Sequence, residues 1–233
     1  MHPARRELKR IIAQARKLLL RRRIGERWAD RDGGFGSRLY PDYDSYLEHQ
    51  RTKLDALRAK SIRGHDRRFY DALQERLPQL SIDLHGRNVL CLAARQGTEV
   101  RAFIEQGAFA VGIDLNPGPD NRYVLVGDFH DLQFADGTVD VVYTNSLDHA
   151  FNLDQILAEV QRVLVPGGWF IAEVGVGTAQ DARHGRGPYE SFSWTSVAEL
   201  IARIAERGFV LESRRPFERP WAGEQLVLRH APD

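Results

Sequence analysis

Val139-Asp140-Val141-Val142-Tyr143-Thr144-Asn145-Ser146-Leu147-Asp148-His149, then Glu159-Val160-Gln161-Arg162-Val163-Leu164-Val165-Pro166-Gly167-Gly168, then Trp169-Phe170-Ile171-Ala172-Glu173-Val174, is the stretch that decides the architecture of this chain. The first and last pieces open on short apolar runs rich in β-branched and aromatic side chains, which is strand texture. The middle piece carries apolar residues at helical spacing and stops at Pro-Gly-Gly. Glycine takes the left-handed helix cap there, and proline cannot continue the helix. Strand, helix and strand in that order form a βα unit, and a chain built of such units predicts a mainly parallel sheet.

Working outward, the same alternation places strands at 88–92, 110–113, 123–126, 139–143 and 169–174, with helices at 99–106 and 153–164 between them. A helix over 196–207 and strands at 209–213 and 225–229 follow, the last two close enough to pair as a hairpin. The expected fold is therefore α/β: a Rossmann-like, doubly wound, mixed seven-stranded sheet with an antiparallel C-terminal hairpin and a helical N-terminal extension. Before Pro78 the texture differs. Residues 4–24 read as one amphipathic basic helix, 32–37 as a glycine-rich loop, and 47–60 and 66–77 as two further helices. The expected division is a basic helical extension over 1–77 and an α/β domain over 78–233.

Composition narrows the class. The chain has 233 residues, 42% hydrophobic and 28% charged, which suits one well-packed core and excludes a disordered or collagen-like protein. Apolar runs are short and broken by charge, so no membrane span or signal peptide is expected. Cys91 is the only cysteine, which precludes an internal disulfide and a thiol metal cluster and suits a reducing cytoplasm. Net charge is +1, yet residues 1–68 hold 19 Lys+Arg against 9 Asp+Glu, while the remainder holds 14 against 23. The basic arm has three readings: packing on the acidic body, lying on an anionic membrane surface, or gripping nucleic acid, in that order. Nucleic acid comes last because no RNA-binding module is recognisable.

Two carboxylates stand where open α/β sheets bind ligands. Asp114 closes the second strand and Asp128 follows the third, each at a strand's carboxyl end. They give an adenosine two acidic acceptors. The first turn, Ala93-Ala94-Arg95-Gln96-Gly97-Thr98-Glu99, lacks the G-x-G-x-x-G pattern, which argues against NAD or FAD.

With Gly127-Asp128-Phe129-His130, the Asp-Val-Val start of the fourth strand and the Arg-Val-Leu-x-Pro-Gly-Gly turn, the chain resembles class I S-adenosylmethionine-dependent methyltransferases of the small-molecule, type 11 kind, over about residues 88–174. The resemblance implies S-adenosyl-L-methionine as cofactor, Asp114 on its ribose, Leu115 or Asn116 flanking the adenine, and Asp128 with Phe129 on the adenine amino edge. Asn145 and Ser146 would lie near the sulfonium. The family's first motif, acidic-x-Gly-x-Gly-x-Gly, falls here on Cys91, Ala93, Arg95 and Gly97, so one glycine of three remains. Arg95 is assigned to the methionine carboxylate and Glu99 to its ammonium, one charge of each sign for a zwitterion.

Methyl transfer asks the protein mainly for placement. A hydroxyl acceptor benefits from a base, and His149, just past the fourth strand, is the candidate, with Asp148 to orient it. The glycine-rich stretch 175–194 reads as a mobile lid or acceptor pocket, with Arg183 and Arg186 available to an anion. The function expected is methylation of a small-molecule or glycan acceptor at oxygen. The alternatives are a non-catalytic cofactor-binding scaffold, or a nucleic-acid- or lipid-associated methyltransferase that uses the basic helix.

Overall fold

A computed structural model describes residues 27–31, 33–53, 59–181 and 186–231; the basic helix expected over 4–24 lies outside the described residues. The α/β body is a seven-stranded mixed sheet. In chain order its strands are β3 (Asn88–Leu92), β4 (Phe109–Asp114), β5 (Val124–Val126), β6 (Val139–Thr144), β7 (Leu164–Gly175), β9 (Phe209–Phe217) and β10 (Gly223–His230), in spatial order β5-β4-β3-β6-β7-β10-β9. The first five run parallel, while β10 pairs antiparallel with both β7 and β9. The expected sheet and its terminal hairpin are thus present.

Period-two alternation divides the side chains between two cores. Leu90, Leu92, Val142, Phe170 and Ala172 face one layer, which contains helices α4 (Leu153–Val163) and α5 (Val197–Ala205). Val89, Cys91, Val141, Tyr143 and Ile171 face the other, against α2 (Ala59–Arg76) and α3 (Thr98–Glu105). Both faces of the central strands are covered, which is why they read as unbroken apolar runs. Gly167 takes a left-handed φ of +73, but inside β7 and not as the helix cap expected of it: α4 already ends at Val163, with the extended Leu164 as its C-cap.

The N-terminal extension departs from expectation. Residues 32–37 are not simply a loop: β1 (Trp28–Arg31) and β2 (Phe35–Arg38) form a hairpin that turns through Gly33 and Gly34 at φ +76 and +78. β2 then pairs with β8 (Phe192–Trp194), so a three-stranded sheet joins chain from both sides of Pro78. Stacked Phe35 and Phe192 and the Arg38 guanidinium over Trp28 brace its neighbouring strands. Helix α1 (Tyr43–Arg51) follows, capped by Asp42, whose carboxylate accepts from the Ser45 amide. Helix α2 buries Phe69 and Leu73, and its last residue Arg76 makes a two-pronged bond to the buried Glu173 of β7. Among the described residues no helix is long and apolar enough to cross a membrane.

Candidate active site

The carboxyl ends of β3 to β6 open into a cleft lined by Ala93, Arg95, Asp114, Leu115, Asn116, Gly127, Phe129 and His149, and roofed by Tyr46, Gln50 and Lys53 of the extension. Asp114 holds its rim: one carboxylate oxygen accepts from the Arg95 amide at 3.0 Å and the other from the Asn116 amide at 2.8 Å. That pairing explains how the β3–α3 turn keeps its path without its glycines. Ala93, Arg95 and Gly97 take φ +53, +44 and +79, so alanine and arginine occupy the left-handed region where the resembling family has glycine. Each non-glycine residue costs roughly 1–2 kcal/mol there. Gly97 itself cannot be replaced so, because a Cβ would stand 2.7 Å from that of Tyr123.

The cleft's chemistry suits an adenosyl amino acid: a carboxylate at a strand end, apolar walls from Leu115, Phe129 and Tyr46, and a guanidinium at its mouth. Of the residues assigned from sequence, Asn145, Ser146 and Asp148 line a neighbouring cavity of about 1380 Å³ that shares Lys53, Arg95 and His149 with the cleft. Glu99 lines neither. It is buried beneath the turn, and desolvation pushes its carboxyl up to about 7 against the pull of Arg95. Asp128 is also turned aside. It accepts from the Tyr43 hydroxyl at 2.6 Å and from the His130 amide and Nδ1 at 2.9 and 3.0 Å, while its neighbours Gly127 and Phe129 face the cleft.

His149 sits at the junction of cleft and cavity, its side chain largely buried. Its Nδ1 lies 2.9 Å from the Tyr189 carbonyl, which can only accept, so Nδ1 carries the proton and Nε2 the lone pair. Nε2 accepts from Lys53 Nζ at 2.8 Å. Desolvation, reinforced by Lys53, holds the imidazole well below its ordinary pKa, so it is neutral. Asp148 makes no hydrogen bond to it: the nearest approach is 3.9 Å, to Nε2, and the ring is held instead through Nδ1 by the Tyr189 carbonyl. Burial, aided by Glu190, raises the Asp148 carboxyl to about 7.

The loop after β7 is fixed at its second half rather than free. Arg38 donates to the carbonyls of Glu190 and Gly187 at 2.9 and 2.6 Å, and Gln50 donates to that of Tyr189 at 2.8 Å. Arg183 lies outside the described residues. Arg186 turns away from the site, to Asp30 at 3.0 Å and over Trp28.

Sequence reasoning missed the roof, Tyr46, Gln50 and Lys53. Their one signal was that Lys53 is among only four lysines in a chain whose basic residues are otherwise arginines, and lysine is the cation that burial can retune.

Residues 90–172 match the family model described as "Methyltransferase domain". Sterol 4-C-methyltransferase strm-1 of Caenorhabditis elegans is 43% identical over 53 residues, 22% of this chain; the chain spans 16% of the length of that curated relative. Two solved structures superpose with a TM-score of 0.62. One is a methyltransferase in complex with the Haloferax volcanii Trm112 methyltransferase activator, 22% identical, covering 79% of this chain and 98% of that one. The other is 1,6-didemethyltoxoflavin-N1-methyltransferase of Burkholderia thailandensis with bound 1,6-didemethyltoxoflavin and S-adenosylhomocysteine, 16% identical, covering 88% of this chain and 99% of that one. At these identities the two structures speak to the fold.

Proposed function

We propose that this chain, a class I S-adenosylmethionine-dependent methyltransferase, methylates an oxygen of a small-molecule or glycan acceptor, with His149 as general base. The observation that carries the reading is the position of His149. It borders both the cleft and the larger cavity, in a tautomer that leaves Nε2 as the acceptor. When bound, S-adenosylmethionine supplies a methyl group already activated on a sulfonium.

The chain's own residues then bind and position. Asp114 accepts from the ribose hydroxyls with the lone pairs its two amide bonds leave open. Leu115, Asn116 and Phe129 flank the base, and Arg95 meets the methionine carboxylate. Asn145 and Ser146 wall the side toward the cavity, where the acceptor enters. Asp128 reaches the adenine edge only through the lone pair that Tyr43 leaves, so the Phe129 backbone carries more of that contact. Nε2 of His149, once Lys53 Nζ moves off its lone pair, takes the acceptor's proton, and the Tyr189 carbonyl steadies the ring.

A second reading, a cofactor-binding scaffold without turnover, rests on the substituted first turn. Residues 4–24 add a secondary proposal, contact with an anionic membrane surface.

Calorimetric titration with S-adenosylmethionine, comparing wild type with Asp114→Ala, tests the site. Micromolar binding lost in the variant is the expected result, and no binding to either protein overturns it. Tritiated methyl passing from cofactor to a cell extract separates enzyme from scaffold. Vesicle binding that is salt-sensitive and lost on removing residues 1–26 tests the basic arm.

A further inference from the structure

We infer that Lys53 binds the acceptor, and that the acceptor presents an acidic hydroxyl, a phenol or enol, held as its oxyanion by the Lys53 ammonium. The inference rests on the reading of His149 and the shared cavities above.

Lys53 follows the C-terminal end of α1 and lines both the cleft and the cavity. Its side chain's single hydrogen bond among the described residues goes to His149 Nε2 at 2.8 Å, and no described carboxylate lies within ion-pairing distance. Asp148, Asp114 and Glu190 attract it from farther off, and Arg95 repels it. An ammonium with two N–H groups unspent therefore faces the space where the cavities meet.

Nε2 has one lone pair, which Lys53 occupies, so an acceptor hydroxyl gives its proton there only as the ammonium moves off the nitrogen and onto the acceptor oxygen, and the same oxygen then meets the ammonium. At the point beside Nε2 a protonated amine would meet the Lys53 ammonium directly, whereas the cavity's acidic residues, Asp148, Glu173, Asp181 and Glu190, make no ion pair with Lys53. A neutral alcohol gains little from the cation, whereas an oxyanion gains a charge-assisted hydrogen bond. The base points the same way. Burial and Lys53 leave His149 a weak base, able to deprotonate only a hydroxyl that is already acidic. The step balances: Lys53 Nζ leaves the Nε2 lone pair for the acceptor oxygen, the acceptor O–H bond breaks with its proton going to Nε2, the oxygen's electron pair forms the new O–CH3 bond as the methyl–sulfur bond breaks to leave a neutral thioether, and the imidazolium later returns the proton to water. The cavity walls suit a flat ring, with Trp194 and Trp221 lining it and His65 stacked on Trp221 at an interplanar angle of 8°.

The same cation would also suit the cofactor's carboxylate, so the test separates the two sources. S-adenosylhomocysteine is titrated by calorimetry into wild type, Lys53→Met and Lys53→Arg. Each protein is also given tritiated S-adenosylmethionine with size-matched phenols, cyclic alcohols and benzylamines.

The expected result is label in the phenols, a drop of at least tenfold in kcat/KM for Lys53→Met, partial rescue by Lys53→Arg, and a Kd for S-adenosylhomocysteine unchanged within twofold. Burial lowers the Lys53 ammonium to about 8, so wild-type turnover should fall as pH rises through that value, and Lys53→Arg should abolish the fall. A tenfold loss of S-adenosylhomocysteine affinity in Lys53→Met assigns the lysine to the cofactor and overturns the proposal. Label confined to alcohols or amines overturns it too, as does bound cofactor with no label in any phenol. Absence of S-adenosylhomocysteine binding to wild type is instead the failure of the methyltransferase reading itself.

Discussion

Tyr43 donates its hydroxyl proton to Asp128 across 2.6 Å, and this bond ties helix α1 to the end of strand β5. His130 completes the arrangement. Its Nε2 accepts from the amides of Phe151 and Asn152 at 3.1 and 3.2 Å, so its Nδ1 carries the proton that goes to Asp128. Burial works to raise the Asp128 carboxyl, but the bonds from His130 and Tyr43 outweigh it and hold the group below its ordinary range.

Tyr43→Phe should therefore destabilise the protein by about 1.5–3 kcal/mol, the usual worth of a hydrogen bond to a charged group. Chemical denaturation measures this. An unchanged midpoint would mean that the bond contributes nothing to the docking of α1.

Ala93→Gly should raise stability by about 1 kcal/mol, because it relieves a left-handed alanine that Asp114 and the strand ends hold in place. A lower melting temperature in this variant would contradict the backbone conformation described for the turn.

Arg95→Ala should leave that turn intact, since Asp114 grips the residue 95 amide and not its side chain. Cofactor affinity should fall several-fold while the melting temperature moves little. Equal affinity in calorimetry would remove Arg95 from the cofactor's carboxylate.

Glu99 makes stability depend on pH. Its carboxyl titrates near 7 when folded against an ordinary value near 4.5, so the folded state holds the extra proton between those values. Stability is then full on the acid side and is lost as pH rises through that window, by up to about 3 kcal/mol. Asp148, also raised to about 7, adds in the same sense. Glu99→Gln should match wild type near pH 4 and exceed it at pH 8. Denaturation curves at the two pH values decide, and equal gains at both would show that charge is not the cause.

The α/β body was legible because its central strands β3, β6 and β7 are largely apolar on both faces and alternate with helices of apolar periodicity, so local pattern and global packing agree. The β1–β2 hairpin was not. Its strands are four residues each, glycine interrupts them, and its stabilising partner β8 lies more than 150 residues away. Asp114 and His149 could be found from their places after strands. Whether Asp128 faced the cleft could not, since that depends on Tyr43, which comes from a distant helix. Lys53 was invisible for the same reason: nothing in its neighbourhood of sequence tells that α1 will set it beside His149.

The pairing of β2 with β8 has a consequence for how such an enzyme changes its substrate. Residues 90–172 carry most of the walls of the cleft, whereas Lys53, His65, Glu190, Trp194 and Trp221, around the larger cavity, all lie outside that stretch. Under the proposed function much of the acceptor's surroundings therefore comes from outside the stretch that walls the donor, although Arg95, Asn145, Ser146, Asp148 and His149 of that stretch line the larger cavity as well. The acceptor parts are not free of one another, because residues 35–38 and 191–194 share one hydrogen-bonded ladder. A graft that transplants one of them alone would leave an open strand edge, so re-targeting this scaffold requires exchanging the two as a single unit.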